Sequence, residues 1–166
     1  MPIIETDRLK MIDFLPEYAY AAVEGREHLE KIFPYGISRQ WPNPDYADIL
    51  PFIARSLEEK PERSKWSGLI IHKEDGLLIG EMGCKGGPNK KGVVDIGYGI
   101  VPDYQNKGYT TEMVKALVSW LFTLPGIKMV TADCLHTNEG SKRVLEKSGF
   151  KNYKKGKELL YWRMVK

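Results

Sequence analysis

The chain has 166 residues, 42% of them hydrophobic, which is enough for one domain with a sizeable core. Its net charge of +3 is by itself too small to indicate nucleic-acid binding, and no apolar run approaches the roughly 18 residues that cross a bilayer. Two cysteines form neither a disulfide framework nor a Cys-x-x-Cys site, and no basic region followed by an apolar one opens the chain. We therefore expect a soluble, cytoplasmic protein.

The N-terminal half predicts one strand, two helices and a long loop. Leu9–Phe14 is a strand candidate, and Pro16–Glu24 begins a helix with proline near its first turn. Residues 33–44 are dense in proline and aromatic side chains, which is typical of a loop. A second helix is predicted over Tyr46–Glu59.

The rest of the chain predicts a meander of strands followed by strands that alternate with helices. The predicted strands are Ser67–His72, Leu77–Cys84, Val93–Val101, Lys128–Leu135 and Leu159–Met164, and the predicted helices are 108–122 and Asn138–Ser148. Because no internal repeat or low-complexity linker interrupts this order, we expect one mixed α/β domain over residues 1–166.

The connection between strand 93–101 and the following helix is the most informative segment. Pro102 ends the apolar run, and a polar loop containing Gly108 leads directly into an amphipathic helix. A helix N-terminus presents several backbone N–H groups in one direction, and the helix dipole adds partial positive charge there. The segment therefore predicts a phosphate or pyrophosphate site, although an ordinary strand–loop–helix connection has the same pattern.

Other phosphate-binding motifs do not fit the chain. Residues 87–92 have the glycine spacing of a Walker A loop but lack the Lys-Ser/Thr pair that follows it. No Gly-x-Gly-x-x-Gly occurs, which argues against a Rossmann dinucleotide site.

Three motifs resemble those of a known family. Residues 105–110, Gln-Asn-Lys-Gly-Tyr-Thr, resemble the Gln/Arg-x-x-Gly-x-Gly/Ala pyrophosphate loop of the Gcn5-related N-acetyltransferase (GNAT) superfamily. Asn138–Phe150 is similar to the second signature of the branch that acetylates ribosomal-protein N-termini: Asn-x-x-Ser, a Glu-Lys pair, then Gly-Phe. Thr6–Leu9 is similar to that branch's Thr-x-Arg-Leu opening. The resemblance implies the GNAT fold, with a central mixed, mostly antiparallel sheet that is splayed in the middle and flanked by helices.

The resemblance also implies acetyl-CoA as cosubstrate and assigns residues that contact it. The loop residues would bind the pyrophosphate, and the strand end would pair with the pantetheine arm, with a backbone N–H there polarising the thioester carbonyl. Two residues at the start of the last helix would contact coenzyme A as well, although asparagine at that position is also a good N-cap. The implied contacts are Ile100, Val101, Gln105, Asn106, Lys107, Gly108, Tyr109, Thr110, Asn138 and Ser141. Thr110 departs from the family, which has Gly or Ala there.

The catalytic residues are less defined. Glu81 and Asp95, each on a predicted strand, are the candidate general bases, although a carboxylate on a strand usually belongs to its polar face. The tyrosine with which many relatives protonate the leaving thiolate is replaced by Leu145, so that Ser141 or a water is the candidate acid. The thiolate would also leave unaided, because its free pKa is only ~8.5. Cys134 as a nucleophile would imply a ping-pong route, but its apolar strand is more typical of core packing. No metal is expected.

Charge is unevenly distributed along the chain. Residues 1–64 contain twelve acidic and eight basic residues, whereas residues 138–166 contain nine basic and three acidic residues. The basic segment fits either a solvated face or a polyanion such as coenzyme A. The acidic N-terminal third, with Phe33, Tyr35 and Trp41, is expected to form the acceptor side and to suit a cationic amine.

We therefore predict an acetyl-CoA-dependent N-acetyltransferase that acts on a primary amine, either a protein N-terminal α-amine or a small amine. The amine would attack directly in a ternary complex. The alternatives are a non-catalytic acetyl-CoA-binding regulatory module and, less favoured, a nucleic-acid-binding protein that uses the basic C-terminal third. The sequence does not identify the acceptor, and it leaves open whether the protein is a monomer or a homodimer.

Overall fold

The computed structural model describes residues 3–166. The helices are α1 (Pro16–Glu24), α2 (Arg26–Ile32), α3 (Pro44–Glu59), α4 (Tyr109–Thr123) and α5 (Glu139–Lys147), with short 3₁₀ turns at Pro61–Trp66 and Pro102–Tyr104. The strands are β1 (Ile4–Glu5), β2 (Leu9–Asp13), β3 (Gly36–Ile37), β4 (Ser67–His72), β5 (Leu77–Cys84), β6 (Val93–Ile100), β7 (Met129–Leu135), β8 (Lys151–Lys155) and β9 (Leu159–Val165). These strands make a mixed, mostly antiparallel sheet, which confirms the predicted fold class.

The described residues form two compact units. The first unit runs to Gly83 and includes Tyr98–Gln105, and the second comprises Cys84–Gly97 and Asn106–Lys166. Strands β5 and β6 therefore contribute residues to both units. That residues 1–166 form one domain stays a prediction.

The first unit is an antiparallel meander with three helices. Its strands pair in the order β1-β2-β4-β5, and the two-residue β3 lies parallel to β5. Helix α3 buries Leu50, Ala54 and Leu57, which recur every three or four residues and so share one face. Helix α1 packs against both α2 and α3.

The second unit contains one parallel and two antiparallel strand pairs. Strand β6 runs parallel to β7, and β9 lies antiparallel between β7 and β8. Along β7, the side chains of Val130, Ala132 and Cys134 are buried while the residues between them are half-buried, as the period of two of a strand requires. Helix α4 buries Met113, Val114, Leu117, Val118 and Leu121.

Several elements are absent from the sequence prediction, for physical reasons. All five residues of β8 are exposed, so the strand has no apolar alternation, and only its pairing with β9 defines it. Helix α2 has seven residues and buries only Leu29, which is too weak a pattern to recognise. Strand β3 lies inside the predicted loop 33–44, where two residues pair with β5.

Helix α3 begins two residues earlier than predicted. Pro44 occupies its first position, where the missing backbone N–H costs nothing, and Asn43 is the residue before it. None of the described helices is long and apolar enough to cross a membrane.

Candidate active site

The N-terminus of α3 is tied to the end of β6 within the first unit. The Asn43 side chain does not cap its own helix; instead its Nδ2 donates a hydrogen bond to the carbonyl oxygen of Ile100 at 2.9 Å. The Gln105 Nε2 donates to the same oxygen, also at 2.9 Å. The carbonyl oxygen of Ile100 therefore accepts two side-chain hydrogen bonds, at the strand end where the sequence analysis expects the thioester.

The backbone of Val101 is engaged as well. Its N–H donates to the carbonyl oxygen of Ile79 on β5 at 2.9 Å. The sequence prediction relies on a backbone N–H at Ile100 or Val101 to polarise the thioester carbonyl. In the structure the Val101 N–H already has a partner, so it is not a ready oxyanion donor.

Glu81 is a buried carboxyl group on β5 with a specific partner. Its side chain is only 7% exposed, and the indole Nε1 of Trp41 donates to its Oε2 at 2.9 Å. Burial raises the pKa of Glu81 to about 7, and the hydrogen bond from Trp41 offsets part of that rise. A carboxyl group with this pKa is divided between its two protonation states near neutral pH, as a general base requires.

Two glycines bring Glu81 close to the end of β6. A methyl group on Gly99 would collide with Oε1 of Glu81, and one on Gly80 would collide with the carbonyl oxygen of Gly99. Only residues without a Cβ allow this approach of the two strands. Oε1, the carboxylate oxygen that Trp41 does not contact, thus lies against the backbone of Gly99, one residue before Ile100.

Tyr46 completes this cluster of the first unit. It is the third residue of α3, and its ring packs 6.1 Å from the ring of Trp41, centroid to centroid. Burial, and then the nearby Glu81 carboxylate, raise the pKa of the Tyr46 hydroxyl above its ordinary value.

Residues 106–110 of the predicted pyrophosphate loop lie in the second unit, at the start of α4. Asn106 and Gly108 both adopt left-handed conformations, with φ of 60° and 82°. Gly108 is the N-cap of α4 and has no side chain that would cap the helix. The N–H groups of the first helical turn have no partner within the helix, so this end of α4 suits an anion. Lys107 is exposed in the loop, whereas Tyr109 and Thr110 are half-buried in the first turn of α4.

The start of α5 combines a cap with the predicted coenzyme contacts. Asn138 is the N-cap, and its Oδ1 accepts a hydrogen bond from the backbone N–H of Ser141 at 3.0 Å. The capping interpretation of Asn138 is therefore confirmed, and its amide nitrogen is not used by the cap. Leu145, where many relatives have the tyrosine, is fully buried. The predicted acid role of Ser141 stays a prediction.

Asp95 lies in a different environment from Glu81. In the second unit its Oδ1 accepts from the Thr131 hydroxyl at 2.9 Å, and its Oδ2 lies 3.3 Å from Nζ of Lys85. Lys85 also pairs with Asp133 at 3.3 Å. Partial burial lowers the pKa of Lys85, but the two carboxylates outweigh it and the pKa is raised. Asp95 thus belongs to an ion-pair network with Lys85 and Asp133.

Neither the cysteines nor a cluster of metal-binding side chains adds a reactive group to this site. Cys84 and Cys134 are both buried, and burial raises the pKa of the Cys84 thiol to about 12. In residues 3–166, no three His, Cys, Asp or Glu side chains are grouped so that they would hold a metal ion.

Sequence patterns do not predict the tertiary contacts of Trp41, Asn43 and Tyr46. Trp41 was expected only as part of the acceptor side, since nothing in its spacing indicates a bond to a residue 40 positions away. The Asn43-Pro44 pair is a recognisable helix start. Its contact with Ile100 nevertheless depends on tertiary structure.

Comparison with known proteins agrees with this architecture. A model of the acetyltransferase (GNAT) domain family matches residues 15–151. YjdG, an uncharacterized N-acetyltransferase of Bacillus subtilis, is 29% identical over 165 residues, which cover 98% of this chain and 97% of YjdG.

Solved structures include similar folds at low sequence identity. The ribosomal-protein-S5-alanine acetyltransferase of Vibrio fischeri has a TM-score of 0.73 at 15% identity, with 99% of this chain and 97% of that chain covered. RimL, a ribosomal L7/L12 alpha-N-protein acetyltransferase in complex with coenzyme A, has a TM-score of 0.73 at 13% identity, with coverages of 98% and 97%. At these identities the likeness concerns the fold.

Proposed function

Because the chain belongs to the GNAT acetyltransferase family, we propose that it transfers the acetyl group of acetyl-CoA to a primary amine by direct attack. The family match covers residues 15–151 and so includes both the strand end at Ile100 and the loop 105–110. The solved relative with bound coenzyme A supports the choice of cosubstrate. The left-handed pair Asn106 and Gly108 at the start of α4 supports the pyrophosphate site.

The buried carboxyl group of Glu81 carries the proposal. It is held by Trp41, it lies against Gly99, and its pKa of about 7 is suited to accepting a proton at neutral pH. Asp95, the other predicted base, is paired with Lys85 and accepts from Thr131. Both oxygen atoms of Asp95 are thus engaged by neighbouring side chains, whereas Oε1 of Glu81 lies against the backbone of Gly99, so we assign the role to Glu81.

The proposed reaction is a direct transfer in three steps. The neutral amine attacks the thioester carbon and forms the C–N bond, while the carbonyl oxygen becomes an oxyanion. Glu81 accepts a proton from the amine nitrogen, directly or through a water. The intermediate then collapses, the C–S bond breaks, and coenzyme A leaves as a thiolate whose low basicity allows departure without a strong acid.

We further propose a protein N-terminal α-amine or a small amine as the acceptor. An α-amino group has a pKa of ~8, against ~10.4 for lysine, so a larger fraction is neutral and ready to attack. The fold similarity to two ribosomal-protein acetyltransferases supports the α-amine.

Turnover of acetyl-CoA tests the proposal. Release of free thiol is measured with a panel of N-terminal peptides and small amines, for the wild type, Glu81→Gln and Asp95→Asn. We expect turnover with at least one amine, a fall in kcat of about 100-fold or more for E81Q because the base is lost, and a small change for D95N. Both variants replace one carboxylate with its amide on a strand, so they are matched.

The possible results separate the alternatives. Tight binding of coenzyme A without turnover of any amine would favour a regulatory module. Turnover that D95N abolishes and E81Q preserves would contradict the assignment of the base.

A further inference from the structure

The segment of residues 38–43, between β3 and α3, is irregular but carries the hydrogen-bond donor of Glu81. It belongs to no helix or strand, and the Trp41 side chain within it donates to the Glu81 carboxylate on β5. The segment starts with the N–H of Ser38 donating to the carbonyl oxygen of Leu78 at 3.0 Å. Because an irregular segment has no repeating backbone hydrogen bonds, individual contacts of this kind determine where Trp41 lies.

Gln40, the residue before Trp41, makes two hydrogen bonds to a single distant residue. Its Nε2 donates to Oδ1 of Asp103 at 3.2 Å, and its Oε1 accepts from the backbone N–H of Asp103 at 3.0 Å. Two parallel bonds through one planar amide fix its orientation as well as its distance. The pair therefore joins the 38–43 segment to the 3₁₀ turn Pro102–Tyr104, in the same unit.

This 3₁₀ turn is itself anchored. The Tyr104 hydroxyl donates a hydrogen bond to the carboxylate of Asp75, beyond the end of β4. Directly after the turn, the side chain of Gln105 donates to the carbonyl oxygen of Ile100. The turn is thus a fixed support beside the end of β6, where the proposed function places the thioester.

Resting on the proposed function, we infer that Gln40 and Asp103 are positioning residues, which hold the indole N–H of Trp41 on the Glu81 carboxylate. They act through Trp41 and take no part in the bonds that form or break. Because Gln40 and Trp41 share a peptide bond, loss of the pair frees the backbone next to the indole and weakens its hydrogen bond to Glu81.

The pH dependence of kcat reports this hydrogen bond. Burial raises the pKa of Glu81 and the bond from Trp41 lowers it, so a weaker bond gives a higher pKa. Tyr46, the other titratable group beside Glu81, has a hydroxyl pKa that is raised by burial and then by Glu81, so it stays neutral and adds no limb. A pair that only stabilised the fold would leave the acid limb of kcat in place.

The test is Gln40→Met, assayed with an amine that the wild type acetylates. The variant removes both side-chain hydrogen bonds at similar length and without a change of charge. We expect the acid limb of kcat to move from near 7 to higher pH by about half a unit, because the Trp41 bond is weakened rather than lost. Arg39→Met, at the exposed neighbouring position of the same segment, is the control and should leave the limb near 7.

A rescue experiment separates the hydrogen bonds from charge. Gln40→Glu places a second carboxylate against that of Asp103, and like charges at this distance repel. Adding Asp103→Asn supplies an amide donor to the introduced carboxylate and restores the net charge of the wild type. We expect Q40E to move the limb and the double variant Q40E/D103N to return it to near 7. A limb that moves in Q40E but not in Q40M would overturn the inference, because charge alone would explain it.

Hydrogen exchange of the Trp41 indole N–H is a second readout that needs no substrate. Its NMR signal is identified by its absence in Trp41→Phe. We expect exchange about tenfold faster in Q40M, because the indole opens more often, and wild-type exchange in Q40E/D103N.

The outcomes distinguish this inference from the proposed function. If the wild type acetylates no amine, the proposed function fails, and indole exchange still tests the pair. If the wild type is active and Q40M leaves either the acid limb or the indole exchange unchanged, the inference is wrong and the function stands.

Discussion

Glu81 and Trp41 show how one hydrogen bond between two residues adjusts the chemistry of a site. Burial alone would raise the pKa of the carboxyl group above about 7, because a charged group in an apolar environment loses its hydration. The Trp41 N–H stabilises the charged form and brings the pKa back to about 7. If Glu81 is the base, as proposed, Trp41 both positions it and sets the pH range in which it works.

The substitution Trp41→Phe isolates this effect. The ring is kept but the donor is lost, so the pKa of Glu81 should rise, and the acid limb of kcat should move from near 7 to higher pH. A hydrogen bond to a charged group corresponds to a shift of about one pH unit or more. The measurement is kcat at saturating substrates from pH 5 to 9.

Trp120→Phe on α4 is the control for this prediction and should leave the acid limb of the pH dependence of kcat near 7. A W41F variant that is slower at every pH, with an unmoved limb, would show that Trp41 only fills space.

The element that the sequence identifies best is the loop that leads into α4. The polar residues after Pro102 and the apolar spacing of the helix predict both the helix and its anion-binding end. The structure adds the left-handed backbone of Gly108, with φ of 82° and ψ of 2°, which only glycine adopts without strain.

A pair of glycine variants tests the role of this loop. Gly108→Ala should weaken binding of coenzyme A at least tenfold, because the added Cβ disfavours the left-handed turn and occupies the approach of the pyrophosphate. Gly76→Ala is matched, since Gly76 has φ of 63° in the turn between β4 and β5. Both variants should lose about 1 kcal/mol of stability, but only G108A should lose affinity.

Binding is read from the ligand-induced rise in melting temperature, referred to each variant without ligand. Equal affinities of G108A and G76A for coenzyme A would exclude the loop as its pyrophosphate site.

At the scale of the whole molecule, charge is divided between the two units. The first unit has 16 acidic and 10 basic residues, a net charge of −6, whereas the second has 15 basic and 6 acidic residues, a net charge of +9. The second unit carries the loop 106–110 and the start of α5, so its field attracts a polyanion such as coenzyme A. The first unit carries Glu81, and its acidic field suits a cationic acceptor.

Stability of the whole molecule should depend on pH through Glu81. Its pKa is about 7 when folded and near the ordinary value of 4.5 when unfolded, so the folded state holds the proton more tightly. The contribution of Glu81 to the free energy of unfolding is therefore fully present below pH 4.5. This contribution, about 3 kcal/mol, is lost as the pH rises through 7.

Glu81→Gln removes this titration. Its free energy of unfolding in urea should match that of the wild type at pH 4.5 and exceed it at pH 8. An equal difference between the two proteins at both pH values would mean that Glu81 does not titrate in this range.

Residue patterns alone predict the mixed α/β class, most of the helices and strands, and a helix start that suits a pyrophosphate. These features depend on residue spacing over a few turns, as in α4, where apolar side chains recur at the helical period. Elements without an apolar period, such as the fully exposed β8, were not predictable.

The two candidate bases differ only in their tertiary environment. Glu81 and Asp95 are both carboxylates on strands, and what separates them is burial beside Trp41 in one case and pairing with Lys85 in the other. The environment of Tyr46 was likewise set by contacts between α3, β5 and the end of β6. A pKa depends on neighbours that are distant in the chain, and no local pattern of residues predicts which neighbours these are.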